Sequence, residues 1–261
     1  MPTLAANLTM LFGEAPFLER FERARRSGFS HVEYLLPYDH EATELRRRLD
    51  ANQLTQVLFN LPCGDWPAGD RGIAASPDRV DEFRAGVATA MAYARTLGVT
   101  RLNCLAGKRV PGRSDDEHRD TLVDNVRFAA SALGEHGIEL LLEAINRFDV
   151  PGFFLNRTEE VAAVIDDVSL PNVRIQYDVY HAQREEGELI ATLRRHVRRI
   201  GHIQIADNPG RHQPGTGEIN YPVLLRQIDE LGYEGYVGLE YVPVPDTVSS
   251  FGWIEACGCR R

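Results

Sequence analysis

Residues 138–143, 173–178, 201–206 and 236–241 read IELLLE, VRIQYD, GHIQIA and YVGLEY. Each is a short run dominated by Ile, Val, Leu and Tyr, the pattern of a parallel strand buried on both faces. Each also carries a polar residue at or near its C-terminal end: Glu143, Asp178, Gln204 and Glu240. A fully buried strand ends in an acid only if something compensates the charge. Three carboxylates and one amide converging at one barrel mouth would form a metal site and an acid/base pair.

Working outward from these four runs, four more strand candidates precede them. They are Leu4–Leu8, His31–Leu35, Thr55–Asn60 and Arg101–Leu105. Apolar runs alternating with longer stretches of helical period are the signature of repeated βα units around a parallel sheet. Eight strands predict a closed (β/α)8 TIM barrel, and 261 residues suit one such barrel. No Gly/Ser-rich, Pro-rich or single-charge linker divides the chain, so one domain over residues 1–261 is expected. Helix signals fall between the strands. Phe17, Leu18, Phe21 and Ala24 recur at helical spacing before Gly28, and Pro77-Asp78 opens a run ending at Gly98. Ser114 with Glu117 forms a capping box for a helix running to about His136, Thr158 and Glu160 open another, and Asn220 caps one starting near Tyr221-Pro222. The eighth unit is weaker: its helix must be short, near Val248–Ala256, packing on the barrel base or on another subunit.

Strand alternation then orients the polar residues. Glu240, Gly238 and Tyr236 share one face, and Gln204 with His202 opposes Ile203 and Ile205. The apolar face meets helices, so the polar face looks into the barrel, where Asn7, Asn60 and Asn103 also fall at strand ends. Carboxylates a few ångströms apart repel, and a raised pKa or a bound cation relieves them. No lysine lies within the four late strand runs. An all-oxygen set of Glu143, Asp178, Gln204 and Glu240 favours a hard cation, Mg²⁺ first and Mn²⁺ next, over zinc. The competing reading is of separate acids, each capping a loop or pairing with an arginine.

The loop after the third strand, LPCGDWPAGDRGIAASP, is long and rich in Gly and Pro; it reads as a lid or wall over a pocket at the C-terminal end of the barrel. It carries Trp66 and Arg71. Arg211 could grip a substrate carboxylate bidentately, with Lys108 and Arg71 as rival anchors. His202 lies beneath Gln204 and is expected to support the site rather than react. PGTGEINY holds a Gly-x-Gly before a helix, but it lacks the full dinucleotide fingerprint and reads as a tight turn.

Composition removes several classes of function. A net charge of -9 argues against nonspecific nucleic-acid binding. No apolar stretch approaches the roughly 20 residues that span a bilayer, and the N-terminus lacks a basic region before its apolar residues, so a cytoplasmic protein is expected. Cys63, Cys104, Cys257 and Cys259 are too few and too irregular for a disulfide framework, and Cys257-x-Cys259 does not match zinc-ligand spacing.

With separations of 35, 26 and 36 residues, the four late polar positions resemble the xylose-isomerase-like barrel superfamily, whose sugar isomerases and epimerases bind a divalent metal through Glu, Asp, His and Glu on successive late strands. Gln204 stands where the epimerases have histidine, a departure that weakens metal binding. AANLTMLFGE, VEYLLPYD, FNLPCGDWPAGDRGIA, RLNCLAGK, LLLEAINRFDVPGF, IQYDVYHAQREEGEL, HIQIADNPGR and PGTGEINY narrow the resemblance, in order and spacing, to the hydroxypyruvate isomerase family. The resemblance implies a small 2-oxo acid substrate, with the glutamates at positions 143 and 240 as proton donor and acceptor. It also implies a substrate contact from His181; a homo-oligomer is compatible with the short last helix packing on another subunit. A 2-oxo-tetronate isomerase is the near alternative, similar in AANLTM and GEINY. From other classes come a noncatalytic sugar- or metal-binding barrel and the superfamily's abasic-site endonuclease; the latter needs a histidine-rich zinc cluster and a basic groove.

Overall fold

The computed structural model describes residues 2–261. Eight strands close into a barrel in sequential order: β1 Thr3–Asn7, β2 His31–Glu33, β3 Thr55–Asn60, β4 Arg101–Cys104, β5 Glu139–Glu143, β6 Val173–Asp178, β7 Ile200–Ile205 and β8 Tyr236–Leu239. Every neighbouring pair is parallel, β8 returning to β1 through Thr3 opposite Tyr236. The chain is a (β/α)8 barrel.

The helices around it are α1 Arg20–Arg26, α2 Ala42–Ala51, α3 Val80–Leu97, α4 Asp115–Gly134, α5 Thr158–Val168, α6 Val179–Glu185, α7 Leu189–His196, α8 Tyr221–Glu230 and α9 Gly252–Ala256. Local chemistry sets their ends. Ser114 and Glu117 cap α4 reciprocally, Glu160 accepts from the backbone N–H groups of Asn156 and Arg157 ahead of α5, and the Asn220 side chain accepts from Val223. Gly98 ends α3 at φ +73°, where a side chain would be strained. The β6–β7 connection carries two helices where a standard unit has one. The short α9 packs on its own barrel, with the Phe251 ring just ahead of it 5.2 Å from Phe29 and 6.1 Å from Phe12.

Strand limits differ from the sequence expectation by one or two residues at several ends, and one shift matters. Strand β8 stops at Leu239, so Glu240 sits on the first residue beyond it. Inside the barrel an apolar plug of Ala5, Val57, Leu58 and Leu141 is fully buried. Beside it lies a polar set centred on Glu33, for which position 238 leaves room: a Cβ there would come within 2.3 Å of the Glu33 carboxylate. The larger apolar cluster fills the space between strands and helices.

Candidate active site

A cavity of about 540 Å³ opens at the C-terminal mouth of the barrel, with Glu143, Glu240, His181 and Arg211 among its lining residues. Glu143 ends β5, Glu240 follows β8, and Asp178 ends β6 while capping α6: its Oδ1 accepts from the backbone N–H groups of Tyr180 at 2.7 Å and His181 at 3.3 Å. The same capping turn therefore points the carboxylate inward and places His181 next to it. Asp178 Oδ2 is buried and accepts no hydrogen bond. Arg211 Nη2 stands 3.6 Å from it and His181 Nε2 3.7 Å.

Arg211 brings positive charge among these acids, its Nη2 lying 3.2 Å from Glu240 Oε1 and its guanidinium 5.2 Å from the Tyr180 ring. The residue holds φ +55°, an unfavourable backbone for a side chain of this size, which aims it back into the barrel. Burial, together with Glu240 and Asp178, pushes the Glu143 carboxyl well above the carboxylate range, against the N–H that Asn103 donates at 2.8 Å. Burial raises Glu240 to about 8; Arg211 opposes the rise, while Asp178 and Glu33 add to it. The Arg211–Glu240 contact is therefore only a partial ion pair near neutrality. Burial lowers His181 to about 4 despite the neighbouring Asp178, so its contact with that carboxylate is not an ion pair at neutral pH.

The other residues singled out from sequence divide between the cavity and elsewhere. Arg71 lines the cavity from the long third loop, its guanidinium 4.0 Å from the Trp66 ring centre and its Nη1 donating to the carbonyls of Trp66 and Asp70. Lys108 does not line it: exposed, it donates to the Gly69 carbonyl at 2.7 Å and ties the fourth loop to the third. In this arrangement the Lys108 ammonium is bonded to a neighbouring loop. Arg211 is likewise not a free carboxylate clamp, since it is already shared between Asp178 and Glu240. Gln204 is wholly buried, with its Nε2 donating to Glu33 Oε1 at 2.8 Å and its Oε1 accepting from Gln176 at 2.6 Å. His202 supports it indirectly, bonding Glu33 Oε2 at 2.6 Å. The amides of the Gly-x-Gly turn do meet an anion, but an internal one: Gly215 and Gly217 donate to Asp207 Oδ2.

Sequence reasoning missed three residues. Glu33 sits in the middle of the His31–Leu35 strand run, with Tyr and Leu following, and only the charge in an apolar stretch could have flagged it. Asn146 and Asp149, three residues apart after β5, form a turn in which the Asn146 side-chain oxygen accepts from the N–H groups of Phe148 and Asp149. Asx spacing is common enough that no signal set this one apart.

A barrel whose late strands deliver acids to one mouth has a counterpart in sequence: the pattern of the xylose isomerase-like TIM barrel matches residues 21–257. The chain belongs to this family. It is 51% identical over 255 residues to a hydroxypyruvate isomerase of Escherichia coli, covering 98% of this chain and 99% of that one. A 2-oxo-tetronate isomerase of Cupriavidus necator is 46% identical, with 98% of each chain covered. Among solved structures, one titled AP endonuclease, family 2, from Brucella melitensis superposes with a TM-score of 0.96 at 42% identity, covering 98% of this chain and 99% of that one. The chain is thus an isomerase by its curated relatives, and no described helix is long and apolar enough to cross a membrane.

Within this family frame, Glu143, Asp178 and His181 offer one ligand atom each, all within 4.8 Å of one another, so the site is of a kind that can hold a metal ion. The orphaned Asp178 Oδ2 is the oxygen that most needs a cation. Arg211 is the cation that stands nearest to it.

Proposed function

We propose that the chain interconverts hydroxypyruvate and 2-hydroxy-3-oxopropanoate (tartronate semialdehyde), with Glu240 and Glu143 as the proton-transfer pair. The observation that carries this reading is the pairing of two buried glutamates on the wall of one cavity, both raised in pKa, with Glu240 the one of the two that contacts a guanidinium. Glu240 touches a guanidinium and loses its proton first; Glu143 keeps its own longer. An acid and a base of like chemistry are separated by environment in this way.

In the direction from hydroxypyruvate, Glu240 removes a proton from C3. The electron pair forms the C2–C3 double bond of an enediolate, and the former carbonyl oxygen at C2 takes up the charge. Glu143 then delivers a proton to C2 as the C3 oxygen becomes the new carbonyl, its hydroxyl proton passing to the C2 oxygen. Arg211 and the His181 N–H face the oxygens where charge develops. Arg71 is the anchor for the substrate carboxylate: it reaches the cavity as a guanidinium whose hydrogen bonds go to carbonyl oxygens rather than to an acid. A divalent cation, Mg²⁺ before Mn²⁺ in this oxygen-rich setting, would be held by Glu143, Asp178 and Glu240 with the remaining lone pair of Gln204 Oε1, and would supply charge stabilisation to the enediolate oxygens.

The relative active on 2-oxo-tetronate supports a second reading, a four-carbon acid taken by the same chemistry, for which the cavity has room. The histidine-rich zinc chemistry of an endonuclease finds no support here, because one histidine faces the acid cluster and the chain carries a net charge of -9. Steady-state kinetics on both acids tests the proposal. A larger kcat/KM for hydroxypyruvate is expected; a much larger value for the four-carbon acid would replace it with the second reading, and turnover of neither would remove both.

A further inference from the structure

His181 has two ring nitrogens with different neighbours, and those neighbours decide which one carries the proton. Nδ1 lies 2.6 Å from Asn146 Nδ2 and 3.4 Å from the Asn146 backbone nitrogen. The orientation of the Asn146 amide is not free, because its oxygen accepts from the backbone N–H groups of Phe148 at 3.1 Å and Asp149 at 2.9 Å. The other end must then be the NH₂ group, which also donates to Asp149 Oδ2 at 3.1 Å. Both Asn146 groups facing Nδ1 are donors, so Nδ1 must accept. In a neutral imidazole that leaves the proton on Nε2, the nitrogen on the side of Asp178. Both residues are buried, so water does not compete for these bonds.

We infer that Asn146 is a positioning residue that locks His181 as its Nε2–H tautomer, making it a neutral hydrogen-bond donor to a reacting oxygen of the substrate rather than a base or a metal ligand. The lone pair that a cation would need is turned toward Asn146. A cation at this site meets oxygen atoms alone, although His181 stands within ligand distance of Glu143 and Asp178. A neutral donor is also better matched to a developing enediolate than an imidazolium, which would transfer its proton outright. Protonation of the ring would place a second N–H against the two Asn146 donors, so the geometry favours the neutral form.

The tautomer follows from geometry alone, whereas its use in catalysis rests on the isomerase reading, and the two are tested separately. Nitrogen-15 NMR of the imidazole in the wild-type protein reads the tautomer directly: Nε2 is expected at the protonated, pyrrole-like position and Nδ1 at the pyridine-like one. The reverse assignment overturns the proposal whatever the enzyme's substrate. Asn146→Asp keeps the acceptor for Phe148 and Asp149 and replaces the donor, so Nδ1 should become protonated. On the acid the enzyme turns over, kcat should then fall about 100-fold, the scale of losing one oxyanion donor, with KM changed less than threefold. Asn146→Ala leaves the backbone N–H facing Nδ1 and should lose less than the Asp variant. Equal losses in both, or a shifted proton with kcat unchanged, would show that Asn146 merely shapes its loop.

Discussion

The carboxylate of Glu33, at the end of β2, accepts hydrogen bonds from Asn7 and Gln204 on one oxygen and meets His202 on the other. The carboxylate of Asp178, at the end of β6, spends Oδ1 on its capping turn and leaves Oδ2 without a hydrogen bond, 3.6 Å from the Arg211 guanidinium. Both acids are buried in the same barrel. The difference teaches how to read a buried acid: a carboxylate with its bonding filled from several elements ties those elements together, whereas one held in place yet left unsatisfied keeps a capacity that only a ligand fills. Glu143 and Glu240 belong with Asp178, since their raised pKa values show charge that the protein does not fully compensate.

The sharpest test of this contrast exchanges the two kinds of acid. Glu143→Gln and Glu240→Gln should each lower kcat by about 10²–10⁴-fold, the range of a lost general acid or base, with the circular dichroism of a folded barrel retained. Glu33→Ala should do the opposite, lowering stability by about 3–5 kcal/mol, the cost of breaking a buried charged network, as measured by urea unfolding. If Glu33→Ala were stable and inactive while the Gln variants melted, the assignment of roles would be inverted.

Next in size is the effect of pH on stability. Burial and its neighbours raise Glu240 in the folded state to about 8, above the ordinary carboxylate value of the unfolded chain. Between those values the folded state holds a proton that the unfolded state has released, so stability falls as pH rises from the unfolded value through about 8 and levels beyond it. In metal-free buffer Glu240→Gln should remove this loss, giving a Tm advantage over the wild type that grows from pH 5 to pH 8. A constant difference across that range would mean that the carboxyl is not perturbed.

Smaller effects separate Arg71 from Lys108. Arg71→Ala should raise KM about tenfold or more, the loss of a charge-assisted hydrogen bond to the substrate carboxylate, with a lesser change in kcat. Lys108→Ala, away from the cavity, should leave KM within twofold. Least of all, Ser114→Ala removes the α4 cap, outside the cavity lining, and should cost about 1 kcal/mol, or about 2–4 °C in Tm, with turnover unchanged.

The barrel was legible in the sequence because its evidence is repeated: eight apolar runs each followed by helical period, with caps at Ser114 and Asn220 that the structure contains. The carboxylates were legible because an acid at the end of a buried run is anomalous in one dimension. What sequence could not show were partners across the barrel. Glu33 and His202 are 169 residues apart and meet only because closure through the β8–β1 pair brings β7 round to β2. The same is true of Arg211, whose compensating role depends on its own left-handed backbone turning it toward Asp178 and Glu240, and of Gln204, whose amide bonds Glu33 and Gln176. The hydrogen bond of Lys108 to Gly69 was hidden for a related reason: a loop-to-loop contact is invisible in the chain order.

The proton-transfer role of Glu143 and Glu240 is the centre of the account, and the fate of the C3 hydrogen tests it most directly. Hydroxypyruvate isomerised in D₂O and trapped by reduction before re-equilibration should carry solvent deuterium at C2, with washout abolished in both Gln variants. Complete transfer of the original hydrogen from C3 to C2 without exchange would point to a hydride shift and contradict the acid/base pair.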